Sequence, residues 1–153
     1  MKPRSVTHAS FTIKRSFRHA PDRVFAAFAT ESNEQAGFHG PDEWGRDKHE
    51  MDFRVGGRET SVGGPPGGPV SSFRGIYQDI VPDERIVFSY DMDLDGERIS
   101  VSLTTIELKR DGAGTHLTYT EQGAYLDGWD HPDGREQGTR DLLDNLERYL
   151  GQN

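Results

Sequence analysis

The chain has 153 residues, no cysteine and a formal net charge of −8. That length fits one domain over residues 1–153 with a core that needs no staple. Without cysteine there are neither disulfides nor thiolate chemistry. The acidity disfavours a phosphate backbone as partner. The opening stretch has no apolar segment of the secretory kind, and no run approaches the roughly 20 apolar residues that span a bilayer. The expectation is a cytoplasmic protein that binds neither nucleic acid nor membrane.

Taken in chain order, Ser10 to Phe17 reads as a strand, with Phe11, Ile13 and, after a polar slot, Phe17 on the buried face. Pro21 suits a first helical turn, Asp22 favours the positive end of its dipole, and Val24, Phe25 and Phe28 follow at helical spacing. This predicts a short helix over 21–30. Ser32 with Gln35 suggests a capped second short helix ending near Gly37. Residues 38–46 read as an ordered loop. Residues 48–55 alternate, with Met51, Phe53 and Val55 on one face and Glu50, Asp52 and Arg54 on the other, which predicts a half-buried strand. An exposed salt bridge of Asp52 or Arg54 with Arg58 or Glu59 is the expected pairing there. Gly56-Gly57 turns the chain into a strand over 58–62. Residues 63–69 are all glycine or proline and read as a hairpin tip, with a lid over a pocket as the alternative.

Further strands follow over 73–80 and from Ile86 to Met92. Asp95-Gly96 is a two-residue hairpin signal. A long strand over 98–109 places Ile99, Val101 and Leu103 inside. Its inside set then shifts to Ile106 and Leu108, which predicts a bulge near Thr104 or Thr105. Thr115 to Gln122 is the last strand, with Leu117 and Tyr119 inward. From Asp133 or Gly134 onward, Leu142, Leu143, Leu146, Tyr149 and Leu150 form the apolar stripe of a long helix. Uninterrupted hairpins with segregated helices define an α+β class: about seven antiparallel strands curved around a C-terminal helix, with two short helices after strand 1.

Several stretches carry a family resemblance. They are His19 to Phe28, Asp52-Phe53-Arg54-Val55-Gly56-Gly57-Arg58, Phe73-Arg74-Gly75-Ile76-Tyr77 with Ile80-Val81-Pro82 and Arg85 to Tyr90, and Gly114 to Thr120. Together they resemble the helix-grip fold of the START-like, or SRPBCC, superfamily, which includes the Bet v 1-like proteins. Within it they resemble the homologues of the activator of the heat-shock protein 90 ATPase, over about residues 8–150. Two positions depart from that pattern. Gly138-Thr139 stands where the family often has Gly-Trp, and Glu121 where it has His or an aromatic residue. The resemblance implies a cavity between sheet and long helix, and the departures imply a more polar ligand.

The wall of such a cavity is expected from Phe38, Trp44, Phe73, Tyr77, Phe88, Tyr90, Met92, Tyr119, Trp129, Thr139 and Leu142. Counting from Leu117 and Tyr119 puts Glu121 on the inward face. Partial desolvation would raise its pKa there and fit it for acid–base work, whereas a strand ending earlier would leave it wet or paired with an arginine. His8, His19, His39, His49, His116 and His131 never fall at i, i+3 or i+4, so no metal is expected, and with no Gly-x-Ser-x-Gly, phosphate loop or GxGxxG in the chain no cofactor is expected either. His39 and His49 read as surface residues with a lesser claim to a ligand role. Three functions remain open. The first is binding of a small hydrophobic or aromatic ligand. The second is an enzyme of the polyketide cyclase or aromatase kind, using Glu121 and a tyrosine. The third is a regulator of the chaperone ATPase. A second copy of the chain and a chaperone are further candidate partners.

Overall fold

The computed structural model describes residues 3–30 and 46–152. Its elements are β1 (Val6–Phe17), α1 (Pro21–Ala29), β2 (Arg46–Met51), β3 (Arg58–Gly63), β4 (Ser71–Val81), β5 (Arg85–Leu94), β6 (Glu97–Asp111), β7 (Gly114–Leu126) and α2 (Pro132–Gln152). The strands form one antiparallel sheet in the order β1-β7-β6-β5-β4-β3-β2. With α2 against its inner side this is the expected α+β helix-grip fold. The segment where a second short helix is expected, together with Phe38, His39 and Trp44, lies outside the described residues.

Each hairpin follows from local chemistry. Asp95 and Gly96 both take positive φ, 50° and 85°, as a two-residue turn between right-twisted strands requires. Asp95 also ties down the glycine- and proline-rich tip. Its backbone N–H donates to the Val70 carbonyl at 2.8 Å, and its carboxylate accepts from the Val70 N–H at 2.9 Å. In β1 the polar slot is Arg15, whose guanidinium reaches over to Asp144 of α2 at 2.7 Å. The core gathers Ile13 and Phe17 of β1, Val24, Phe25 and Phe28 of α1, Ile86, Ile106, Leu108, Leu117 and Tyr119 of the central strands, and Leu143, Leu146 and Leu150 of α2.

Two expectations need correction. The strand predicted over 48–55 ends at Met51, and Val55 is exposed. Residues 52–57 curl into a loop closed by Asp52 N–H to Arg58 carbonyl and Gly57 N–H to Arg54 carbonyl. Asp52 and Arg54 pair with each other at 2.8 Å instead of across the strands. The second correction concerns β6. The β6–β7 register runs without a shift from Ser100 to Asp111, so there is no bulge near Thr104. The irregularity lies further back: Met92 pairs with Ser100 and Asp93 with Arg98, leaving Ile99 without a β5 partner. This sets the phase of the strand. Ser100, Ser102, Thr104, Ile106 and Leu108 turn inward, while Val101 and Leu103 stay 46% and 38% exposed on the outer face.

Candidate functional site

The corrected phase of β6 puts polar side chains under the start of α2. Strand registers fix a grid on the inner face. Phe88, Thr104 and Glu121 lie in one row across β5, β6 and β7; Tyr90, Ser102 and Gly123 form the next; Met92, Ser100 and Tyr125 form the third. β7 continues five residues beyond Glu121 to Leu126, so the carboxylate sits mid-strand and only 1% exposed.

Above the grid lies Arg135, in the first turns of α2. Its Nη1 donates to the Tyr90 hydroxyl at 2.9 Å, and its Nη2 donates to Ser100 Oγ at 2.8 Å and to Asp130 Oδ2 at 2.7 Å. Its guanidinium also lies over the Tyr90 and Tyr125 rings, 5.8 and 5.4 Å from their centroids. Glu121 Oε2 is 3.6 Å from Arg135 Nη1, and Glu121 Oε1 accepts from Thr104 Oγ1 at 3.0 Å. Two buried oxygens here, Glu121 Oε2 and Ser102 Oγ, have no partner at full hydrogen-bond distance, and both lie close to the Tyr90 hydroxyl.

Burial penalises the Glu121 carboxylate and raises its pKa, although the Arg135 charge opposes the rise. Burial likewise raises Tyr90 and Tyr119, with the Glu121 charge adding to it, and brings Tyr125 up to about 12. For Arg135 burial alone would lower the pKa. The Tyr90, Glu121 and Asp130 oxygens outweigh it and hold the guanidinium charged.

Beside this polar end runs an aromatic row. Phe73 stacks on Tyr90 with centroids 4.7 Å apart, Phe88 lies 5.9 Å from Tyr90, and Tyr77 lies 6.2 Å from Phe88. Glycine makes room for these rings. A Cβ on Gly75 would stand 3.1 Å from the Phe73 ring, and one on Gly123 would stand 3.1 Å from both Ser102 Oγ and the Tyr125 ring. At the far end of the row the Tyr77 hydroxyl donates to Glu59 Oε1 at 2.5 Å, and His49 Nε2 lies 3.1 Å from Glu59 Oε2. His49 is thus an inward, nearly buried residue and not a surface one, and Glu59 turns in toward it.

Of the expected wall, the structure brings together Phe73, Tyr77, Phe88, Tyr90, Met92 and Tyr119 on the inner face, with Thr139 buried on α2 and Leu142 half-buried beside it. The Thr139 hydroxyl donates to the Arg135 carbonyl at 3.0 Å and so backs the arginine's own turn. Trp129 instead sits 38% exposed in the turn after β7. Sequence reasoning missed Arg135, Asp130, Ser100, Ser102, Thr104 and Tyr125. Of these, the polar alternation of Ser100, Ser102 and Thr104 was a usable signal. No group of three or more His, Asp or Glu is gathered for a metal ion among the described residues. Among them no helix is long and apolar enough to cross a membrane.

The family model described as activator of Hsp90 ATPase homolog 1-like protein matches residues 18–151. The chain belongs to this family. No curated protein matches it. Among solved structures it is similar to the Mll3558 protein of Rhizobium loti, at 48% identity and a TM-score of 0.86, covering 95% of this chain and 99% of that one. A protein of Rhizobium leguminosarum shares 36% identity with a TM-score of 0.94 and 99% coverage of both chains. The CV1439 protein of Chromobacterium violaceum shares 25% identity with a TM-score of 0.79, covering 92% of this chain and 96% of that one. Family membership and fold together mark a domain of the ligand-binding or regulator type.

Proposed function

We propose that this chain is a single cytoplasmic domain that binds a small apolar or aromatic molecule between the inner face of its sheet and α2. One observation carries the reading. Phe73, Phe88 and Met92 all belong to the inward set of β4 and β5, yet each is only half-buried. Apolar side chains on an inner face are ordinarily covered, and each one left partly open is surface that a ligand would gain by burying. Titration with the neutral dye N-phenyl-1-naphthylamine tests this. The expected result is a saturable rise in fluorescence that is lost in the double variant Phe73→Ala, Phe88→Ala. A linear response from the wild-type protein would overturn it.

A second reading is catalysis, and the buried Glu121 with its raised pKa favours it. A carboxyl group that keeps its proton nearer neutrality suits a general acid, and Tyr90 is the tyrosine nearest that role. The assay is cyclisation of a polyketide-type substrate, with Glu121→Gln expected to remove it. The family description further names a chaperone ATPase as a partner to assay, and stimulation of that ATPase by the purified chain is the measurement.

A further inference from the structure

The geometry points to a neutral hydroxyl-bearing ring compound, phenolic in character, as the ligand class, its hydroxyl bridging Glu121 Oε2 and Ser102 Oγ and its ring lying on the aromatic row. This inference rests on the binding reading above and deepens it. A buried arginine in a pocket ordinarily invites a carboxylate or a phosphate. Here that expectation fails on two counts. The donors of Arg135 are already directed at Tyr90, Ser100 and Asp130. Its charge is met by the Asp130 carboxylate at 2.7 Å before Glu121 is counted at all. An anion entering beside Glu121 would meet a site that is neutral when Glu121 is protonated and negative when it is not.

What the site lacks is different. Glu121 Oε2 and Ser102 Oγ are both buried and neither has a partner at full hydrogen-bond distance; both lie close to the Tyr90 hydroxyl, which accepts from Arg135 and has a single proton to offer, so at most one of them is met. They stand on adjacent strands of the inner face, one row apart in register. Leaving such atoms unpaired is costly, and native structures rarely do so without a reason. A carboxyl oxygen and a serine hydroxyl together can accept one hydrogen bond and donate another. The complementary group must also do both while carrying no charge, and a hydroxyl is the simplest such group. The stacked Phe73 and Tyr90 rings next to it favour a flat aromatic body behind that hydroxyl.

Three probes of one ring system separate the claims: naphthalene, 2-naphthol and 2-naphthoate, each measured by displacement of the neutral dye near pH 7. The expected order is 2-naphthol tightest, about tenfold above naphthalene, with 2-naphthoate weakest, on the strength of a hydrogen bond to a buried polar group. Ser102→Ala should lower 2-naphthol binding several-fold and leave naphthalene unchanged. Asp130→Asn removes the counter-charge from Arg135 at a partly exposed site, and should raise 2-naphthoate binding about tenfold while barely moving 2-naphthol. If naphthalene binds and 2-naphthol binds no better, a water fills the gap and this inference falls while the binding reading stands. If 2-naphthoate binds wild type as tightly as 2-naphthol, or Asp130→Asn fails to help it, the charge argument is wrong. If none of the three displaces the dye, both readings fall together.

Discussion

The same three strands supply two unlike halves of the inner face. Toward the α1 end, Ile86, Ile106 and Tyr119 form one row of the grid and Leu108 pairs with Leu117. They meet Leu143, Leu146 and Leu150 of α2 in a dry core. A few residues along each strand, the inward positions become Tyr90, Ser100, Ser102, Thr104, Glu121 and Tyr125, roofed by Arg135. The first half stabilises the fold by removing apolar surface from water. The second half buries a carboxyl group and a guanidinium, whose desolvation their mutual attraction repays only in good geometry. The 3.6 Å separation between Glu121 Oε2 and Arg135 Nη1, with no partner at full hydrogen-bond distance from that oxygen, is not good geometry. One half stabilises the fold, and the other carries the desolvation cost of a buried carboxyl group.

The dry half is the more sensitive to substitution. Leu146 is fully buried, and Leu146→Ala is expected to cost about 2–5 kcal/mol in unfolding free energy, read from denaturant midpoints. A loss under about 1 kcal/mol would mean that this half is not packed as described. In the polar half the expected sign reverses. The folded-state pKa of Glu121 lies above its ordinary value of 4.5, so the folded chain holds that proton to higher pH than the unfolded one. Its stabilising contribution is complete below pH 4.5 and is lost as pH rises through the folded pKa. Glu121→Gln lacks this loss, so its melting temperature relative to wild type should climb as pH rises from 4.5 toward neutrality. A gap that stays flat or shrinks would show the carboxylate to be well paired. The smallest effect belongs to the outer face. Leu103→Thr removes an exposed apolar side chain from a strand and is expected to change stability by less than about 0.5 kcal/mol.

Most of the architecture was legible because the chain's apolar positions and its turn residues agree. The Asp95-Gly96 hairpin and the Leu143, Leu146 and Leu150 stripe of α2 stand where periodicity places them. Tyr77, Tyr90 and Tyr119, which had to face inward for the fold to hold a site, do so. β6 was misread for a definite reason. In most strands the apolar set is also the inner set, and by that rule Val101 and Leu103 belong inside. A bulge was then needed to bring Ile106 and Leu108 into line. The strand has an unbroken register there, and its inward set simply turns from apolar to polar at Thr104. The error fell where burial departs from hydrophobicity, which is where local rules are expected to give way to function. Glu121 could be placed because Leu117 and Tyr119 fix the phase of β7. Arg135 could not, because its bonds to Tyr90 and Ser100 span 45 and 35 residues of sequence, which no local pattern encodes.

The sheet order also dictates a timetable for biosynthesis. Among the described strands β1 pairs with β7 alone, with Val6 opposite Leu126 and Phe17 opposite Thr115. A ribosome must add roughly a hundred residues between them, about 5–20 seconds of elongation at ordinary rates. Throughout that interval the nascent first strand, with Phe11 and Ile13 on it, waits without its ladder. The β2-to-β6 meander can zip up hairpin by hairpin as it emerges, but closure of the sheet must wait for its last strand.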